Sequence, residues 1–174
     1  MKIITLWQPW ASLVAYGLKH YETRSWATNY RGPLLIHAAK RPFVHPISGK
    51  VLCQASNLAW LDAIKHGYES GLIGEGTRFP SEIFPFAHQL PLGAVVAIAQ
   101  LTDCRPMGDI DGFDDKRRQY LTIKGQTAIE RTVGDWSLGR YAWKLNNIQL
   151  LEPTPWKGAQ GLREVPDELR RLVA

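Results

Sequence analysis

The 174-residue chain has only two cysteines, Cys53 and Cys104. Two cysteines build neither a disulfide framework nor, on their own, a closed zinc site. Both are read as small buried hydrophobes. Long apolar runs are also missing: the longest, Ala94 to Ala99, is far short of the roughly 20 residues that cross a bilayer. The segment Met1 to Trp10 has neither the apolar core nor the small-residue cleavage site of a signal peptide. The chain is therefore read as cytoplasmic, with no membrane partner. His45, His66 and His88 stand singly, with no H-x-x-H, H-E-x-x-H or cysteine pair, so no metal is expected. Neither G-x-x-x-x-G-K-[ST] nor G-x-G-x-x-G occurs, which argues against nucleotide hydrolysis and against a dinucleotide cofactor; no cofactor is expected. Ser12, Ser25, Ser48 and Ser137 lie outside any G-x-S-x-G elbow, so an esterase triad is not indicated.

Acidic residues are scarce in one region only. Residues 1–50 carry seven basic side chains against the single acid Glu22, residues 51–135 eight against eleven, and residues 136–174 six against four. The overall charge of +5 decides little, but a basic N-terminal block beside an acidic middle favours a polyanionic partner such as RNA or DNA. Hydrophobic residues make up 45% of the chain and charged residues 21%, which excludes the composition of a disordered protein. Seven tryptophans are many for this length. Most serve a core, and a few are available for stacking on a base.

The length fits one domain, 1–174, and no linker or repeat divides it. Lys2–Leu6 has a strand pattern. A helix starts at Pro9, runs through Tyr16 and stops at Gly17. Tyr21–Trp26 reads as a strand, Tyr30 to Pro33 as a turn, and Leu34–Ala38 as a buried strand. A helical and loop insertion is expected around 41–91. It comprises a loop from Pro42 to Gly49, helical apolar spacing over Val51–His66, and a packed loop over Gly71–Pro91. Gly93–Asp103 is the clearest strand. Pro106–Asp115 is an acidic loop, and Lys116–Val133 is ambiguous between helix and disorder. Tyr141–Leu151 is a strand, Trp156–Leu162 a glycine-rich loop, and Pro166–Val173 a helix. The mixture predicts an α+β fold with a small, partly open β-barrel and flanking helices.

The informative stretch is Gly17-Leu18-Lys19-His20-Tyr21-Glu22-Thr23-Arg24, or G-x-K-x-x-E-x-R. Gly17 ends the helix, so Lys19 falls in the turn or at the start of a strand. Glu22 and Arg24 are two apart on a strand and share a face, which Trp26 continues. Such a cluster is either a surface ion-pair group of little energetic value or a polar site for a planar or anionic ligand. Arg24 suits a phosphate or a base edge.

This motif resembles the signature of the ASCH domain, named after the activating signal cointegrator and related to the PUA fold. Further blocks support the resemblance: Leu6-Trp7-Gln8-Pro9-Trp10-Ala11, Tyr30 to Ala38, Leu92 to Ala97, Gly139 to Trp143, and Lys157 to Leu162. It covers Leu6 to about Leu162, with looser matches over 41–90 and 105–133. The resemblance implies a PUA-like, partly open barrel whose signature residues line a cleft, and a role in binding RNA or a modified nucleotide. Lys19, Glu22 and Arg24 are then site residues and Gly17 their hinge. Trp26 and Tyr30 are candidates for stacking. Arg31, His37 and Lys40 are candidate binding residues of the neighbouring strand, and Lys157 and Gln160 of the glycine-rich loop, which either closes over a ligand or makes the barrel's last turn.

Some small ASCH relatives are amidohydrolases of N4-acetylcytidine that use the motif lysine, a threonine and a downstream glutamate. By that resemblance Lys19 and Glu22 would be the catalytic pair, with Glu22 standing at the threonine's place. Glu75, Glu82 and Glu130 are the candidates for the downstream glutamate. A lysine base must lose its proton near neutral pH, which burial favours and a nearby carboxylate opposes. Other members are reported to cleave RNA, for which His37 or His20 would supply acid–base chemistry. A third reading is a transcription-coregulator interaction module. DNA remains an alternative partner to RNA.

Overall fold

Ile4 and Leu6 alternate with Ile3 and Thr5 along the first strand, and this period of two decides what each face of the sheet meets. The computed structural model describes residues 1–41, 90–107, 130 and 133–171. The expected insertion around 41–91, with its helix over Val51–His66, lies outside the described residues, as do Cys53 and most of 106–133.

The elements in chain order are β1 (Lys2–Leu6), α1 (Trp10–Ala15), β2 (Tyr21–Arg24), β3 (Gly32–Ala38), β4 (Ala94–Pro106), β5 (Tyr141–Pro155), β6 (Leu162–Glu164) and α2 (Asp167–Arg170). The strands form one curled half-barrel sheet in the order β2-β5-β4-β3-β1-β6. Among the described residues β1 and β3 run parallel and the other strand pairs antiparallel. The fold is α+β, as expected, with one mixed sheet flanked by short helices. Several boundaries differ from the sequence reading. β3 begins at Gly32, inside the expected turn, β2 ends at Arg24 before Trp26, and β4 and β5 run on to Pro106 and Pro155, past the expected Asp103 and Leu151; an additional short strand, β6, follows the glycine-rich loop.

Both faces of the sheet are covered. Ala11, Val14 and Ala15 of α1 pack on Ile4, Leu6, Leu34, Ile36, Ala38, Ala99 and Trp143, all buried. On the other face Ile3, Leu35 and Val95 meet Val165 and Leu169, from α2 and the turn before it. Registers slip between Ile36 and His37, so that the consecutive β4 residues Val96 and Ala97 both enter the α1-side core. Such a bulge re-aims neighbouring side chains, and here it sits beside His37. Thr5, paired with His37 across β1 and β3, shares the face away from α1.

Candidate functional site

A cleft of about 990 Å³ opens on the face away from α1. Thr5 and Trp7 come from β1 and the residue just beyond it, and His37, Ala39 and Lys40 from β3 and its exit. The same alternation that sends Ile4 and Leu6 into the core sends Thr5 and Trp7 here. Arg24 joins the lining from the end of β2, with Trp26 two residues on, and residues 155–161 supply a loop wall whose Gly158 packs against Thr5 and His37. Among the described residues, three tryptophans (Trp7, Trp26, Trp156) and three cations (Arg24, Lys40, Lys157) share the lining with Gln160, with no carboxylate beside them. Trp7 is 45% exposed and Trp26 36%. Arg41 stacks its guanidinium 4.6 Å from the centre of the Trp7 ring, which holds that ring upright. Trp26 stands edge-on to the buried Trp143 ring at 4.6 Å, and its carbonyl accepts from Trp143 Nε1 at 3.3 Å.

The G-x-K-x-x-E-x-R motif folds into a chain of ion pairs behind this lining. Gly17 takes a left-handed φ of +71° that suits glycine. The turn winds back so that Leu18 N and Lys19 N both donate to Leu13 O, at 2.9 and 3.1 Å. Lys19 is thereby carried inward and is only 1% exposed. Its ammonium donates to the Tyr21 carbonyl and stands 3.5 Å from Glu22 Oε2. Glu22 Oε1 meets Arg24 Nε at 3.0 Å. Arg24 Nη2 donates to the Thr5 carbonyl at 3.3 Å, which ties β2 across to the cleft end of β1. Lys19 and Glu22 do not line the cleft; they hold Arg24, which does.

Glu130 completes the cluster from below. It is buried and accepts from the backbone N–H groups of His20 and Tyr21. Burial pushes its carboxyl above the ordinary range, against the pull of the Lys19 ammonium and of those N–H groups. The sequence offered Glu130 as one of three unplaced glutamates; the structure puts it within electrostatic reach of Lys19. Glu75 and Glu82 lie outside the described residues.

Two sequence candidates sit elsewhere. Tyr30 packs against the α1-side core, its hydroxyl donating to Pro33 O at 2.6 Å. Arg31 donates to the Thr28 and Tyr30 carbonyls at 2.9 and 2.8 Å and approaches Asp103. Neither lines the cleft. Conversely, sequence reasoning did not single out Thr5, Trp7 or Trp156 as site residues. The signal for the first two was the Ile3-Thr5-Trp7 alternation. Among the described residues no group of histidine, cysteine and carboxylate side chains is placed to hold a metal ion.

His37 anchors the loop wall. Trp156 N donates to Gly93 O at 2.9 Å, and Trp156 O lies 2.9 Å from His37 Nε2. The following Gly158 lies flat on the imidazole: a Cβ there would stand 2.3 Å from His37 Cε1 and 2.5 Å from Nδ1. Gly158→Ala is expected to cost about 1–3 kcal/mol through overpacking, read by urea unfolding. An unchanged midpoint would mean that the loop moves aside freely.

Burial holds the His37 imidazole below its ordinary value of 6.5, and the bond to Trp156 O works weakly the other way. The folded state thus binds this proton less well than the unfolded chain. His37's contribution to stability is complete above the unfolded value and is lost as the pH falls through 6.5 towards the lower folded value. Unfolding measured at about pH 7.5 and about pH 5.5 should show a larger loss for the native chain than for His37→Gln. Equal losses would place the acid sensitivity elsewhere.

A family model described as the ASCH domain matches residues 4–153. Among curated proteins none matches. Solved structures similar to this chain include the ASCH protein of Zymomonas mobilis, at 12% identity and a TM-score of 0.47, covering 99% of this chain and 92% of that one. A single-substitution variant of the same protein gives 13% identity, a TM-score of 0.47, and coverage of 98% and 91%. Identity and score at this level say nothing about the cleft. The family match spans β1 to most of β5 and includes the whole G-x-K-x-x-E-x-R stretch, and by it the chain belongs to the ASCH domain family.

Proposed function

We propose that this ASCH domain binds single-stranded RNA, or a nucleotide carrying a modified base, in the cleft. The observation that carries this is the lining that the described residues supply: three indole rings interleaved with three cations. Indoles offer a stacking face to any base. The cations suit phosphate, and Arg24 arrives with its orientation fixed by Glu22 and the Thr5 carbonyl. The basic N-terminal block supplies Arg24 and Lys40, with Arg41 at the rim.

The amidohydrolase reading is less well supported. It needs the Lys19 amine to reach a substrate carbonyl. That amine is buried, donates to a backbone carbonyl and is paired with Glu22.

Short RNA oligomers titrated at two salt concentrations test the proposal. Three phosphate contacts on a single strand predict affinity roughly 20-fold weaker on going from about 50 to about 200 mM salt. No binding at either concentration would remove the nucleic-acid reading and leave the coregulator-module reading standing. In parallel, incubation with N4-acetylcytidine is expected to release no acetate. Release abolished by Lys19→Ala would instead make the motif lysine catalytic.

A further inference from the structure

The three cleft indoles come from three separate places in the chain. Trp7 follows β1, Trp26 follows β2 and Trp156 follows β5. Among the described residues no two of them stack on one another. Each is braced instead by a different part of the protein. Trp7 carries the Arg41 guanidinium, Trp26 stands edge-on to Trp143, and Trp156 packs against the cluster of Ile3, Leu35 and Val95. Rings held in this way lose little freedom when a ligand lies on them.

The cations follow the same arrangement. Arg24 lies two residues before Trp26, Lys157 directly follows Trp156, and Lys40 adjoins the Arg41 that covers Trp7. A ring with a cation close to it in the chain therefore occurs three times in the lining. A single strand presents the matching repeat, a stackable base beside a phosphate, once per nucleotide. A lone nucleotide would engage one such unit and leave the other two to water. The volume agrees: at about 990 Å³ the cleft lies at the upper end of the roughly 300–1,000 Å³ that small-molecule sites span.

We propose that the cleft holds a run of three nucleotides of single-stranded RNA, one base on each indole and one phosphate at each lining cation. This narrows the nucleic-acid reading above, on which it rests, from any nucleotide to a short strand.

A length series tests it: 5′-phosphorylated oligouridylates of one to six nucleotides, titrated against the tryptophan fluorescence. Each of the first three nucleotides is expected to tighten binding by at least about 5-fold, the lower value for one stacked base. Later nucleotides should add clearly less than that. The slope of log affinity against log salt should steepen by about 0.7 per nucleotide and level at about 2 with the trimer. Trp7→Ala removes one stacking unit outside the core, so two such steps should remain in place of three. A mononucleotide that binds as tightly as the trimer overturns the proposal while the nucleotide reading stands. Steps that continue undiminished to six nucleotides overturn it as well, because the strand then runs beyond the cleft. Three undiminished steps in Trp7→Ala overturn the assignment of one base to each indole. Should that variant not fold, the native series decides alone. If nothing up to six nucleotides binds, the underlying reading has failed and the proposal with it.

Discussion

Replacing Lys19 by methionine is expected to lower the stability of this domain by about 3–5 kcal/mol, the usual cost of breaking a buried ion pair from one side. For a chain of this size that corresponds to a melting temperature lower by about 6–20 °C. The reason is the company that Lys19 keeps. Methionine matches the length of the side chain but leaves the Glu22 carboxylate without its buried cation, 3.5 Å away. It also leaves the Tyr21 carbonyl without a donor and removes the ammonium that opposes the upward push on Glu130. Circular dichroism melting gives the number. A Lys19→Met protein that melts within a degree or two of the parent would show that the ammonium does not anchor the cluster. Binding adds a second readout. Because Glu22 would lose one of its two cations, Arg24 should be less well held, and RNA affinity should fall even at temperatures where the variant is fully folded.

The larger functional effect is expected from the indoles. Trp7→Ala and Trp26→Ala each remove one stacking face, worth roughly 1–3 kcal/mol per stacked base and therefore roughly 5–150-fold in affinity. The double variant should reduce RNA binding to what Trp156 and the cations still supply, while keeping the salt dependence set by Arg24, Lys40 and Lys157. Trp7 is the cleaner of the two, since it stands outside the core at 45% exposure, whereas Trp26 also covers the edge of Trp143. Equilibrium titration with fluorescently labelled RNA measures both. Unchanged affinity in the double variant would mean that the RNA lies along the cationic rim without entering the cleft.

Much of the sheet could be read from the sequence because its strands carry local signals. β1, β3 and the apolar half of β4 are runs of branched residues, and α1 is bounded by Pro9 and Gly17. The polar halves of β4 and β5 carry no such signal. They are strands because each pairs with the other along almost its whole length. β6 is three residues long and exists only by pairing with β1. At the site, shared-face reasoning joined Glu22 to Arg24 correctly, and the two form an ion pair at 3.0 Å. It left Lys19 in the turn or at the start of the strand, and its burial could not be read from spacing, which does not reveal that the chain winds back onto Leu13 O. Thr5 and Trp7 went unnoticed for a different reason. When both faces of a strand are covered, alternation separates the two faces but does not say which one a cleft will occupy.

The cleft draws its lining from distant parts of the chain: Thr5 and Trp7 near its start, and Trp156 to Gly161 far along it. A ribosome adding about 5–20 residues per second needs roughly 8–30 s to travel from the first group to the second. During that interval the early tryptophans have no loop wall beside them, and Arg24 has at most its local partners. Over that interval the early part of the proposed site stands without its late part, so the cleft can be completed only after the strand β5 and the loop that follows it have been made.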